Sequence, residues 1–462
     1  MKAQDLQQAK ETAIVGLGTT GLSVARFLQD KDVEFSVVDS RKTPPNADDL
    51  KRDYKDVPYH FGDFDTELLS TAKQLIVNPG VAVATPEIQQ AELNGAAVLG
   101  DVELFAREIG QSKPIIAITG SNGKTTVTTL LDLMAKASDV NVATGGNIGT
   151  PALDLLTEVD AELFVLELSS YQLETTTSLQ TLTAVVLNVS EDHLDRYDND
   201  IEKYAQSKAG IYKQCKHIVC NRDDAYSMQF ATEATGYESL TTFGLDQPKD
   251  NNYGVFIKKG VEWLVKGETP LMLASDIKMP GRHNLSNALA ALALGEAAGL
   301  TLSAMINVLT EYAGMEHRTQ WVRTLDGVNW YNDSKGTNVG ATLAALSGLS
   351  GKTVLIAGGQ GKGADFLPLQ DVIQKKARAV ILMGEDAQEI AQFVDDSIEL
   401  IFVENMQEAV EKAQYLAQSD THDNVLLSPA CASFDMFSNY EKRGQVFMDA
   451  VNELQTQKGA KS

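Results

Sequence analysis

The segment Thr119-Gly-Ser-Asn-Gly-Lys-Thr-Thr126 sets two glycines, a lysine and three threonines between an apolar run and a helical pattern. A loop of this kind bares backbone N–H groups at a helix N-terminus, where partial positive charge favours anions. Gly120, Ser121, Asn122 and Gly123 would wrap phosphates, and Lys124 would bring a cation to the β- and γ-phosphates. The Thr125 hydroxyl, with Thr126 beside it, would face Mg²⁺. The chemistry predicted is the gripping of ATP phosphates. The usual G-x-x-x-x-G-K-[ST] pattern asks for glycine where Ile118 stands, so the loop is a variant form.

Other residues have types suited to the same site. Glu167 ends the apolar run Leu163-Phe-Val-Leu-Glu167, and His193 follows Ala184-Val-Val-Leu-Asn188. Ligands of an open parallel sheet gather at the carboxyl ends of its strands. Thr125, Glu167 and His193 are therefore expected around one phosphate site with donors suited to Mg²⁺. Glu191 and Asp192 read as solvated neighbours, and Lys208 as a surface lysine on a helix. Asn284 and Asn287, three apart, share a helix face and suit either an adenine edge or helix capping. His317-Arg318 and Asp333-Ser-Lys335-Gly-Thr337 each follow a segment junction. Arg318 and Lys335 either reach back to the nucleotide, with Asp333 on a ribose hydroxyl, or bridge a domain interface. Gly358-Gly-Gln-Gly-Lys362-Gly363 is a glycine-rich turn that says little alone.

To bring such residues together, strand–loop–helix units must end in the right places. The chain reads as three α/β blocks, over residues 1–105, 106–314 and 315–462. In the first, Thr12-Ala-Ile-Val runs into Gly16-x-Gly18-x-x-Gly21 and a helical pattern, and the strand Phe35-Ser-Val-Val-Asp39 ends on an acid. That is a β-α-β nucleotide-binding unit, its glycines permitting a tight turn and close approach of a phosphate. Leu75 to Gly80 reads as a later strand and turn, and Pro86 to Asn94 as a helix. The second block opens on the strand Ile115 to Thr119, continues through the phosphate loop into a helix from Thr125 to Ala137, and closes on an alanine-rich helix from Asn284 to Ala298. The third carries apolar strands at 353–357, 379–383, 399–403 and 424–428. β-Branched strands alternating with helices imply parallel sheets buried on both faces. The expected fold class is α/β in three domains: N-terminal Rossmann-like, central P-loop NTPase-like with a mostly parallel sheet, and C-terminal Rossmann-like.

Lys and Arg total 39 against 63 Asp and Glu, a net charge of −24. So acidic a surface repels nucleic acid and anionic membrane, so anionic substrates need locally concentrated cations. Cys215, Cys220 and Cys431 form no C-x-x-C pair, which excludes a disulfide framework or cysteine zinc site and fits a reducing cytoplasm. Met1 to Glu11 is polar, and the longest apolar run, Ala288 to Leu294, is far short of the ~20 residues that span a bilayer. The expectation is a cytoplasmic protein with no membrane insertion and no nucleic-acid partner.

Taken together, Gly16-Leu-Gly-Thr-Thr-Gly21, Gly145-Gly-Asn-Ile-Gly149, Glu167-Leu-Ser-Ser-Tyr-Gln-Leu-Glu174 and Leu427-Ser-Pro-Ala-Cys-Ala-Ser-Phe-Asp435 resemble the Mur ligases, ATP-dependent amide-bond-forming enzymes of peptidoglycan precursor synthesis. The resemblance runs the length of the chain. It points to the member that joins UDP-N-acetylmuramoyl-L-alanine to D-glutamate, working with ATP and two Mg²⁺ ions, as a monomer. It implies that Gly18, Thr19, Thr20, Asp39, Ser40, Arg41, Gly80 and Asn147 lie along the UDP substrate. Lys208 would become a carbamate and a Mg²⁺ ligand beside His193, with Lys124 the third catalytic residue. Arg318, Asp333 and Lys335 would clasp ATP, and Thr337, Lys362, Ser433, Phe434 and Tyr440 would surround D-glutamate. The family commonly has leucine and phenylalanine where this chain has Phe434 and Tyr440. An NAD-dependent oxidoreductase would use Gly16 to Gly21 and Asp39 but leaves the phosphate loop idle. A folylpolyglutamate synthase-like ligase would lack the first block, and an ATPase switch the third.

Overall fold

A computed structural model describes residues 11–64, 66–192, 194–279, 281–417 and 423–456. His193 lies outside the described residues. Each block forms its own sheet. The first holds β1 (Thr12–Val15), β2 (Phe35–Asp39), β3 (Tyr59–Phe61), β4 (Gln74–Val77) and β5 (Ala97–Leu99), ordered β3-β2-β1-β4-β5 and all parallel. The order reverses beside β1, and the turn Gly16–Gly18 leaves β1 at that switch point, where parallel sheets open a crevice.

The second sheet holds β6 (Ile115–Thr119), β7 (Val142–Gly146), β8 (Leu163–Glu167), β9 (Thr181–Val186), β10 (Cys215–Asn221), β11 (Ser239–Phe243), β12 (Tyr253–Lys258), β13 (Val261–Lys266) and β14 (Thr269–Leu273). Their order is β14-β13-β12-β11-β10-β9-β6-β8-β7, parallel except for the β12–β14 meander. Central β6 is wholly buried because both its faces are covered: Ile116 and Ile118 pack with Val127, Leu130 and Met134 of the helix Lys124–Ala137 and with the helix Arg282–Ala297, while Ile115 and Ala117 face the opposite layer. That continuous apolar strand delivers Thr119 and the phosphate loop to the sheet's carboxyl edge.

The third sheet holds β15 (Gln320–Leu325), β16 (Val328–Asn332), β17 (Thr353–Ala357), β18 (Ala377–Leu382), β19 (Glu399–Phe402) and β20 (Asn424–Leu427). The order is β15-β16-β20-β17-β18-β19, with only the β15–β16 hairpin antiparallel. No helix of the described residues is long and apolar enough to cross a membrane.

The first and second units are joined by polar contacts between elements far apart in sequence. Arg26 and Ser23 both donate to Asp154, the latter at 2.8 Å. Glu103 accepts from the N–H groups of Thr177 and Ser178 at 2.7 and 2.9 Å. Beside them Asp101 is buried, with Gln172 Nε2 at 3.4 Å and its Oδ1 unpartnered, and burial drives its carboxyl up to about 6. A folded-state pKa above the unfolded value means stability is greatest below about 3.8 and is lost as pH rises through about 6. Asp101→Asn is thus expected to raise resistance to urea at pH 8 by ~1–3 kcal/mol and much less at pH 4; equal shifts at both pH values would contradict it.

Candidate active site

The phosphate loop is braced from beneath by Asn188. The Ser121 N–H donates to the Asn188 carbonyl at 2.9 Å, the Asn122 N–H donates to Asn188 Oδ1 at 2.8 Å, and Asn188 Nδ2 donates back to the Asn122 carbonyl at 3.0 Å. Ser121 is buried, donating to the Ser190 carbonyl and meeting the Tyr204 hydroxyl at 3.0 Å. Ser121 therefore shapes the loop, and the donors left for an anion are those of the first helical turn, which have no carbonyl one turn back. Gly123 begins that turn at φ +84°, and a Cβ there would lie 2.5 Å from Asn287 Oδ1. Gly123→Ala combines a left-handed backbone with that clash, and is expected to weaken binding of a fluorescent ATP analogue by about tenfold or more. Unchanged affinity would show that the turn relaxes.

Asn287 Nδ2 donates to Asn284 Oδ1 at 3.1 Å, and both side chains are buried. Gly281 is the N-cap of their helix, so neither asparagine is the N-cap residue, and both line the cleft. His283 beside them is pushed down to about 4 by burial, and its Nδ1 has no partner.

Two lysines converge on one carbonyl. Lys124 Nζ donates to Gly120 O at 2.6 Å and Ser121 O at 2.9 Å, while Lys208 Nζ donates to Gly120 O at 3.2 Å. Lys208 is 1% exposed, so the surface-lysine expectation is wrong. The helix Ile201–Ala209 turns it inward beneath the loop, over the Tyr204 ring at 4.4 Å. Burial pushes its ammonium well below the usual lysine range, and the Lys124 charge adds to the depression. Burial disfavours the Lys124 ammonium too, so the two lysines compete to carry charge at one carbonyl.

Glu167, at the carboxyl end of β8, is 2% exposed. Its Oε1 accepts from Asn147 Nδ2 at 2.9 Å, and its Oε2 is buried without a hydrogen-bond partner. An unpaired carboxylate oxygen in a dry site is costly unless a cation meets it. Among the described residues no three His, Cys, Asp or Glu gather as a metal cluster. Carboxylate and hydroxyl oxygens such as those of Glu167 and Thr125 suit Mg²⁺ better than a metal that prefers histidine and cysteine.

The third unit closes over this edge. Arg318 Nη2 donates to Thr125 Oγ1 at 2.9 Å, across the junction between units. Asn338 Nδ2 donates to Asp192 Oδ2 at 3.2 Å, so Asp192 is an interface residue and not a merely solvated neighbour. Gly340 lies so near that a Cβ would sit 2.8 Å from Ser190 Oγ. Between the units lies a cleft of about 800 Å³, lined by Asn122, Thr126, Asn284, Arg318, Asp333 and Lys335 among others. The Asp333 carboxyl, driven up to about 6 by burial, accepts from the Thr319 N–H at 2.9 Å and the Ser428 hydroxyl at 2.6 Å.

Gly18, Thr19 and Thr20 open the helix Thr19–Asp30 at the crevice of the first sheet, and Gly80 follows β4 nearby. Asp39 is already engaged: it accepts from the Leu17 N–H at 2.7 Å and from Arg41 Nε and Nη2 at 2.8 and 2.6 Å. Burial alone would raise its carboxyl, but Arg41 and these N–H groups hold it below the usual range. Asp39 thus braces the turn and orients Arg41, next to Ser40. On the third unit, Gln360 and Ala432 exchange backbone hydrogen bonds, uniting the loops of Lys362 and Ser433. Lys362 Nζ lies 5.7 Å from the Phe434 ring centroid. Thr337 and Tyr440 flank Lys335, and Arg443 on the Tyr440 helix donates to the Cys431 and Ala432 carbonyls beside Ser433. Reading by residue type missed Asn188, Ser190, Tyr204 and Asn338; Asn188, at the end of an apolar run facing the loop, had a signal that was there to be found.

The pattern of a MurD-like Mur ligase N-terminal domain matches residues 10–100, that of the Mur ligase middle domain residues 118–295, and that of the Mur ligase glutamate ligase domain residues 317–431. A protein of Nitrosococcus oceani named UDP-N-acetylmuramoylalanine--D-glutamate ligase is 49% identical over 450 residues, covering 97% of this chain and 98% of its own. One of the same name from Pseudomonas syringae pv. tomato is 50% identical over 445 residues, covering 96% and 97%. The solved structure of UDP-N-acetylmuramate-alanine ligase MurC from Thermotoga maritima shares the fold with TM-score 0.57 at 19% identity, covering 96% of this chain and 99% of that one. With three domain patterns in order and half-identical relatives along its whole length, the chain belongs to the Mur ligase family.

Proposed function

We propose that this enzyme is the ATP-dependent ligase that adds D-glutamate to UDP-N-acetylmuramoyl-L-alanine, releasing ADP and phosphate, in cytoplasmic peptidoglycan precursor synthesis. The observation that carries the reading is the meeting of Lys124, Lys208 and Arg318 at one phosphate loop, between two units, in a chain half identical to relatives named for that reaction. Residues 1–105 hold the UDP substrate, with Gly18, Thr19, Thr20, Asp39, Ser40, Arg41, Gly80 and Asn147. Residues 106–314 hold ATP on the phosphate loop, with Asn284 and Asn287 at its base. Residues 315–462 bring Arg318, Asp333 and Lys335 to ATP and Thr337, Lys362, Ser433, Phe434 and Tyr440 to the amino acid. The enzyme acts as a monomer.

A carboxylate does not acylate an amine until one of its oxygens becomes part of a leaving group. The alanine carboxylate oxygen attacks the γ-phosphorus, the bond to the ADP oxygen breaks, and an acyl phosphate forms. The D-glutamate nitrogen then attacks the acyl carbon, and the tetrahedral intermediate expels phosphate as the nitrogen loses a proton. Several anions must meet in a protein of net charge −24. Lys124, Arg318, Lys335 and the N–H groups of the first helical turn offset their repulsion without reorganising. Once deprotonated, the Lys208 nitrogen can attack CO₂ and release its second proton, becoming a carbamate and turning a would-be cation into an oxygen ligand. Thr125, Glu167, His193 and that carbamate would hold two Mg²⁺ ions, which when bound withdraw charge from the phosphate oxygens.

ADP release by the pure protein with UDP-N-acetylmuramoyl-L-alanine tests the reading. It is expected with D-glutamate and not with L-lysine, meso-diaminopimelate or no amine. Release indifferent to D-glutamate would refute the assignment.

A further inference from the structure

Lys335 is held in a way that leaves its charge unspent. Its N–H donates to the His317 carbonyl at 3.0 Å, and the neighbouring Ser334 hydroxyl donates to the Tyr440 carbonyl at 2.8 Å, so the backbone is fixed on both sides. Its ammonium lies 3.8 Å from the centroid of the Tyr440 ring. That is well inside the ~6 Å over which a ring quadrupole attracts a cation. Among the described residues no carboxylate comes within 4.0 Å of the Lys335 ammonium, whereas Lys31, Lys73, Lys136 and Lys203 on the surface each have one.

The ring is itself fixed. His317 meets it edge-on, with centroids 6.0 Å apart and planes at 84°. Asn332 Nδ2 contacts His317 Nδ1 at 2.8 Å, and Asn439 caps the helix Tyr440–Glu453 by accepting from the Lys442 N–H at 2.7 Å. Lys335 lines the interdomain cleft, within electrostatic reach of the cations Arg318 and Lys124 and of the carboxylates Glu441 and Glu167, none of which pairs with it directly. A carboxylate partner would orient an ammonium and also neutralise it, competing with any phosphate. A ring face orients it and leaves the full charge for an incoming anion.

We propose that Tyr440 is a positioning residue for the nucleotide, its ring face aiming the Lys335 ammonium at the phosphates, in addition to any contact it makes with the amino acid. The proposal rests on the reading of Lys335 as a phosphate-binding residue. The full chain carrying Tyr440→Leu, Tyr440→Phe, Lys335→Met or the double change Lys335→Met/Tyr440→Leu is titrated with a fluorescent ATP analogue, without the other substrates. Tyr440→Leu is expected to weaken binding about 3- to 30-fold. Tyr440→Phe, which keeps the ring face, should recover most of that loss. In the Lys335→Met background, Tyr440→Leu should cost nothing further. A loss that is equal with and without Lys335 makes Tyr440 merely structural and overturns the proposal, as does an effect confined to KM for D-glutamate. If Lys335→Met alone binds the nucleotide as well as the parent, the reading of Lys335 falls, and the proposal with it.

Discussion

Lys208→Ala is expected to lower kcat by about 10²- to 10³-fold or more, the scale on which a preorganised charge beside a transferring phosphoryl group acts. The fold keeps Lys208 under the phosphate loop at 1% exposure, 3.2 Å from Gly120 O and next to Lys124, which bonds the same carbonyl at 2.6 Å. Two ammonium groups on one buried carbonyl repel, and burial penalises each, so the second lysine is far better accommodated neutral or as an anion. A carbamate meets that demand, which makes the charge of this position negative when modified. If Lys208 works as a carbamate, alanine deletes oxygen donors and leaves a cavity, and acetate or formate at high concentration is then expected to restore part of the rate. Full activity of the variant would remove Lys208 from the site, and loss without rescue would leave its role as a carbamate unsupported.

Lys124→Met is expected to cost a comparable factor, about 10²- to 10³-fold in kcat, with a higher KM for ATP. Lys124 now donates to two loop carbonyls, a self-contained arrangement that an entering γ-phosphate would replace. Methionine preserves much of the stem's packing while deleting the charge, so the loop braced by Asn188 should persist. Turnover within a few-fold of the parent would place the developing phosphate charge elsewhere, with Arg318 the first alternative.

Much of this was legible in the residues. Strands such as Ile115–Thr119 announce themselves because they are buried on both faces and so are uniformly apolar. The glycines of the phosphate loop mark a turn that side chains would obstruct, as the 2.5 Å approach at Gly123 bears out. The β12–β14 meander was missed because its strands mix Lys, Glu and Gly with apolar residues, a half-exposed pattern without a clear period. Lys208 was misread because local sequence cannot tell a helix face turned to solvent from one turned under a loop 88 residues away in sequence. Likewise the contact between Asn338 and Asp192 forms only when one unit folds down on another, which no periodicity within either segment encodes.

The central claim is that an alanine carboxylate oxygen is phosphorylated before the amide bond forms. UDP-N-acetylmuramoyl-L-alanine labelled with ¹⁸O in that carboxylate, turned over with ATP and D-glutamate, tests it directly by mass spectrometry of the phosphate released. The account predicts one ¹⁸O in each phosphate from fully labelled substrate, because the oxygen that attacks phosphorus leaves with it. Phosphate free of ¹⁸O, with the amide product formed, would contradict the acyl phosphate route.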